Sequence, residues 1–126
     1  MTNLQKLPST QLLRSDSEQV LVPQLFVAKK FFDRAWGLLG QSSFEQNKGL
    51  WIHRCSSIHT FFMKIPIDAV FVDRQLKVVG IYENLKPFRM TTWVWKSDSV
   101  IELPSGSVQR LKIHRGEVFR VVSAVS

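Results

Sequence analysis

The chain has 126 residues, of which 44% are hydrophobic and 21% charged, and its net charge is +7. That length makes one domain, and the composition excludes wholesale disorder. Cys55 is the only cysteine, which excludes an internal disulfide framework and suits a reducing compartment. With no apolar run long enough for a membrane-spanning helix or a secretory leader, the expected location is the cytoplasm.

Residues 1–18 are polar and carry Pro8, Ser9, Thr10, Ser15, Asp16 and Ser17. They are expected to form a flexible arm with a short ordered piece at Leu12 and Leu13, leaving 19–126 as a single β-rich domain. Residues 20–27 are β-branched and apolar, a strand that Pro23 demotes to a sheet edge or a bulge. In 30–39, Phe31, Ala35, Leu38 and Leu39 fall on one helical face. Gly40 is placed to end that helix, and Gly37 inside it suggests close approach to a neighbour.

After a polar loop at 41–48, strand patterns occupy 49–53, 58–63, 69–73 and 77–82. Asp73-Arg74-Gln75-Leu76 joins the last two as a hairpin. A loop follows at 84–90, then strands at 91–95 and 99–103. Pro104-Ser105-Gly106 breaks the pattern, 107–113 holds a helical turn or two, and 117–122 is a last strand. No strand–helix–strand alternation is sustained, which argues against a parallel doubly wound sheet. The predicted fold is mainly β: an antiparallel β-sandwich or partly open barrel with one short helix packed against it. Nine Phe and four Trp point to a core built on aromatic rings.

Several polar residues interrupt these apolar patterns. Asp68 stands in a run with Val70 and Val72 on its face, and Glu102 is set similarly among Val100, Ile101 and Leu103. A carboxylate in such a place must be paired or hydrogen-bonded, or it holds its proton. The two could form an acid/base pair if strands brought them close; backbone N–H groups or Arg34 and Arg89 are the plainer partners. Cys55, His59 and Met63 are a soft ligand set suited to copper(I) or zinc. An extended chain holds them too far apart to share one ion, and no CxxC or HxxxH supports them. A buried cysteine, a hydrogen-bonded histidine and a core methionine are the plainer reading, and no cofactor is expected. Trp93 and Trp95 alternate with Val94 and Lys96. If buried they are core; if exposed beside cations they make a platform for single-stranded nucleic acid.

The chain resembles the family known as domain of unknown function 192. The matching segments are Arg34-Ala35-Trp36-Gly37-Leu38-Leu39, then Ser57-Ile58-His59-Thr60-Phe61-Phe62-Met63, Pro66-Ile67-Asp68 and Phe71-Val72-Asp73. Leu85-Lys86-Pro87-Phe88-Arg89, Glu102-Leu103-Pro104-Ser105-Gly106 and Gly116-Glu117 continue the match. Leu39, Trp36 and Glu117 depart from the family's usual residues. The resemblance covers roughly 26–122. It implies a compact, mostly β domain and no agreed activity.

The leading expectation is a binding module for a small anionic ligand or a protein partner, with His59, Thr60, Asp68, Arg89 and Glu102 lining its pocket. The alternatives are a hydrolase using Asp68, Glu102 or His59 as acid and base, and nucleic-acid binding through the basic surface.

Overall fold

The computed structural model describes residues 4–29, 42–60 and 63–123. The helix expected over 30–39 lies outside them, as do Phe61 and Phe62. A 3-10 turn, Leu4–Lys6, leads into β1 (Ser9–Arg14), β2 (Val20–Ala28), β3 (Lys48–His53), β4 (Ile67–Val72), β5 (Val78–Leu85) and β6 (Ser99–Pro104). A short helix, α1 (Ser107–Arg110), and a last strand, β7 (Phe119–Ser123), complete the described chain.

The seven strands form one mixed sheet in the order β5-β4-β6-β3-β2-β1-β7. Its pairs are antiparallel except β2 with β3, which runs parallel and departs from the all-antiparallel expectation. The connection from β2 to β3 is long enough for the chain to return to its starting end, which a parallel pair requires and a hairpin cannot supply.

The sheet curls until its edges touch. Val78 N–H donates to the Glu117 carbonyl and Gly116 N–H to the Val78 carbonyl, both at 2.9 Å. An isolated bridge joins Lys77 and Val118. Pairing of the edges stops there, so the barrel is partly open and most of β5 remains an edge strand.

Both faces of the sheet are packed. On one, Leu12, Val22, Leu25, Val70, Ile101 and Leu103 meet Val108, Ile113 and Phe119. On the other, Phe26, Leu50, Ile67, Ala69, Phe71 and Val100 meet Leu4, Leu7, Ile58 and Met63. Strands β4 and β6 are therefore buried throughout, which explains why they read as near-continuous apolar runs. Each fully buried side chain such as Phe71 or Leu50 contributes about 1.5–3 kcal/mol. Arg14 fastens β1 to the turn before β7 through an ion pair with Glu117 at 2.8 Å, and Glu117 also accepts the His114 N–H at 3.0 Å.

Three local expectations are corrected. Ser9–Arg14 is no flexible arm: it is a strand paired on both sides, with Leu12 and Leu13 buried. Its apolar residues were too few to register as a strand by alternation alone. Of the two settings expected for Pro23, an edge or a bulge, the chain takes the bulge, because β2 lies inside the sheet between β3 and β1. The chain accommodates it by a register shift, with Leu12 opposite Val22 and Thr10 opposite Leu25.

The described part of 58–63 is not a strand but an irregular crossing with one bridge, His59 to Met90. Thr hydroxyls take over the backbone partners a ladder would supply. Thr91 Oγ1 accepts the Ile58 N–H at 3.0 Å, and Thr60 Oγ1 donates to the Lys86 carbonyl at 2.6 Å.

Residues 91–95 likewise form no strand. Val94 N–H reaches the Ser56 carbonyl, and Lys96 turns the chain at φ 67°. Val94 points inward over Gly80, where a Cβ would stand 2.8 Å from Val94 Cγ1. The valine is therefore inside, and the flanking tryptophans are outside.

Candidate functional site

Asp68 is fully buried on β4. Its Oδ1 accepts the Asn84 N–H at 2.8 Å, and its Oδ2 accepts Gly106 N–H at 3.1 Å and Val108 N–H at 2.9 Å. Gly106 precedes α1 at φ 93°, a left-handed turn that glycine makes without steric cost. No side chain caps the helix locally. The carboxylate of a distant strand meets its free N–H groups instead, with charge-assisted bonds.

Glu102 is buried on β6, directly across from Leu50 on β3 and Ala69 on β4. Among the described residues no hydrogen bond or ion pair reaches its carboxyl. Burial pushes its pKa up to about 7. The β4–β6 ladder runs without a register shift, pairing Asp68 with Leu103 and Ala69 with Glu102. Cross-strand partners share a face and neighbours alternate. Asp68 and Glu102 therefore stand on opposite faces of the sheet, so they cannot act together on one substrate.

His59, Thr60 and Arg89 do come together. Thr60 N–H donates to the Arg89 carbonyl at 2.7 Å, and Arg89 N–H to Thr60 Oγ1 at 2.9 Å. Thr60 is buried and stitches the 86–89 turn, while His59 and Arg89 are exposed. The five residues expected to line a pocket thus fall into three separate settings. Met63 is buried against the outer sheet face and Cys55 is half-buried, its thiol donating to the Ser57 carbonyl at 3.0 Å. Among the described residues no group of three or more His, Cys, Asp or Glu could hold a metal ion.

A groove with a different lining lies elsewhere among the described residues. A groove of about 690 Å³ runs along β5 between the 92–96 segment and the turn at Arg115 and Gly116. Its lining includes Lys77, Lys96 and Arg115, with Trp93, Trp95, Tyr82 and Ile81, and contains no carboxylate. Trp93 and Trp95 are 73% and 77% exposed, and nearby in sequence Phe88 and Met90 are 60% and 66% exposed. These are the four most exposed large hydrophobic residues described. Residues 85–97 contain Lys86, Arg89 and Lys96 and no Asp or Glu. That interleaving of cations and rings was the visible signal. What it did not reveal is which of Trp93, Val94 and Trp95 face the core.

The fold is a small, partly open β-barrel with a short helix set against its inner face. The chain belongs to the DUF192 family, described as Uncharacterized ACR, whose model matches residues 12–121. Two solved structures share the fold. One is a protein of unknown function from Novosphingobium aromaticivorans: 19% identity, TM-score 0.76, covering 89% of this chain and 83% of that one. The other is described as a "putative transcription regulator" from Sinorhizobium meliloti: 19% identity, TM-score 0.75, covering 90% and 92%. No curated protein matches the chain in sequence. No helix among the described residues is long and apolar enough to cross a membrane.

Two predictions concern the buried carboxyls. Asp68→Ala strands three N–H groups and is expected to cost about 3–5 kcal/mol in chemical denaturation. Amide exchange should rise at Asn84, Gly106 and Val108; a loss below about 1 kcal/mol would show that water replaces the carboxylate. For Glu102 the raised folded-state pKa means its stabilising share is full below about pH 4.5. That share is lost as pH rises through about 7. The lost share amounts to about 3 kcal/mol. Glu102→Gln should flatten melting temperature against pH between 5 and 8 and leave the variant more stable than the parent at pH 8. Parallel curves would contradict this.

Proposed function

We propose that the protein is a binding module for an anionic partner, and that the partner sits in the groove along β5. The observation that carries this reading is the groove's lining: three cations, no carboxylate and two largely exposed tryptophans. Cations crowded along one concavity raise the local potential and draw in anions. Exposed rings of this size are uncommon on a surface without a partner. Lys86 and Arg89 extend the same positive character along the acid-free segment.

Thr60 and Asp68 support this surface by holding backbone, with no direct contact to a ligand required of them. An acid/base role for Asp68 with Glu102 is disfavoured by their opposite faces. The single, half-buried thiol of Cys55 fits a reducing compartment, and the cytoplasm is the location we assign.

The reading is tested with heparin and poly-L-glutamate as probes. Both should bind with affinity that falls as salt rises, and the triple reversal Lys77→Glu, Lys96→Glu, Arg115→Glu should weaken binding about a hundredfold near physiological ionic strength. His59→Ala should change it little. Unchanged affinity in the triple variant would move the site elsewhere, and absence of binding to either polyanion would end the reading.

A further inference from the structure

We infer that the occupant of the groove is a single strand of nucleic acid, its phosphates on Lys77, Lys96 and Arg115 and its bases stacked on Trp93 and Trp95. This rests on the anionic-partner reading above and narrows it to one chemistry. Two properties of the groove select that chemistry. Its rings are presented, not buried: Val94 fills the space over Gly80, so the tryptophans on either side are turned out beside the cations. Indole faces stack on bases of any sequence, and a cationic track holds the backbone beside them.

The second property is shape. The rings line a concavity floored by β5, and its 690 Å³ admits a flexible strand with splayed bases. A flat lipid surface cannot enter it, and a duplex keeps its bases stacked inward. A polyacidic peptide satisfies the cations but gives the tryptophans nothing planar to stack on. Three phosphate contacts predict a moderate salt dependence, because each cation displaced from a single strand contributes about 0.7 to the slope of log affinity on log salt.

The test is fluorescence anisotropy of the full chain with a labelled oligothymidylate of about 12 nucleotides. The same strand as a duplex, poly-L-glutamate and phosphatidylserine vesicles serve as competitors. The single strand is expected to bind with a salt slope of about −2. Trp93→Ala and Trp95→Ala should each weaken it about tenfold or more without changing the slope, and Trp95→Phe should retain most of the affinity. Lys96→Ala should instead reduce the slope by about 0.7. Both tryptophans are exposed, so their variants should melt as the parent does, separating lost binding from lost folding.

Tryptophan variants that bind the strand as the parent does would overturn the inference. So would equal competition by poly-L-glutamate, and either result leaves a groove that takes anions by charge alone. Tighter, tryptophan-dependent capture by vesicles would assign the surface to lipid. If neither the oligonucleotide nor poly-L-glutamate binds, the broader reading falls as well.

Discussion

One buried carboxylate on β4 ties the end of β5 to the turn before α1 and to α1 itself. Asp68 accepts N–H groups from Asn84 on β5, from the turn before α1 and from α1 itself. Through α1 it sets Val108 against the inner face of the sheet. Through Asn84 it fixes the far end of the strand that floors the groove. A buried anion without such partners would take up a proton or unfold its surroundings. With three donors aimed at it, the charge becomes the joint between the sheet and its helix.

The seam of the barrel follows from the same geometry. Strands β5 and β7 meet over Lys77, Val78 and Glu117 and then part. An exposed edge is a hazard that proteins cover or charge. Here the 92–96 segment lies against β5 on one side and the Arg115 turn closes its start, leaving a concavity with cations on its rim. The floor of this strip belongs to the two hydrophobic layers, with Val78 and Ile81 in one and Val79, Tyr82 and Val94 in the other, while Trp93, Trp95 and Lys96 stand exposed beside it. Glu102, by contrast, has no role at the strip. It is a buried acid among Leu50 and Ala69, a local weakness whose effect on stability is governed by pH.

Much of the fold was legible in the chain. The strands from β2 to β6 that are apolar over five or six residues, the hairpin between β4 and β5 and the helical turn after Gly106 all announce themselves by pattern and punctuation. Strand β1 did not, because Ser9, Thr10 and Gln11 lend it a loop-like composition and only its pairing with β2 and β7 makes it a strand. The parallel pairing of β2 and β3 cannot be read from alternation, because the same side-chain pattern suits either direction of a neighbouring strand.

The site was harder. The polar residues that stood out within apolar runs, Asp68 and Thr60 above all, are there because backbone groups need them. Those that form the groove were open to two readings, core or exposed platform. Trp93 and Trp95 carry the pattern of core rings, and only the seat Gly80 provides for Val94 turns them outward.

The most direct measurement is an NMR titration of uniformly nitrogen-15-labelled protein with unlabelled oligothymidylate, following indole and backbone N–H signals together. The account predicts shifts at the indoles of Trp93 and Trp95 and along the amides of Lys77, Val79 and Tyr82. The indole of Trp51, which donates to Ser99 Oγ at 2.7 Å, should stay where it is. Shifts centred on His59, Thr60 and Arg89 with the groove silent, or no shifts at all, would contradict it.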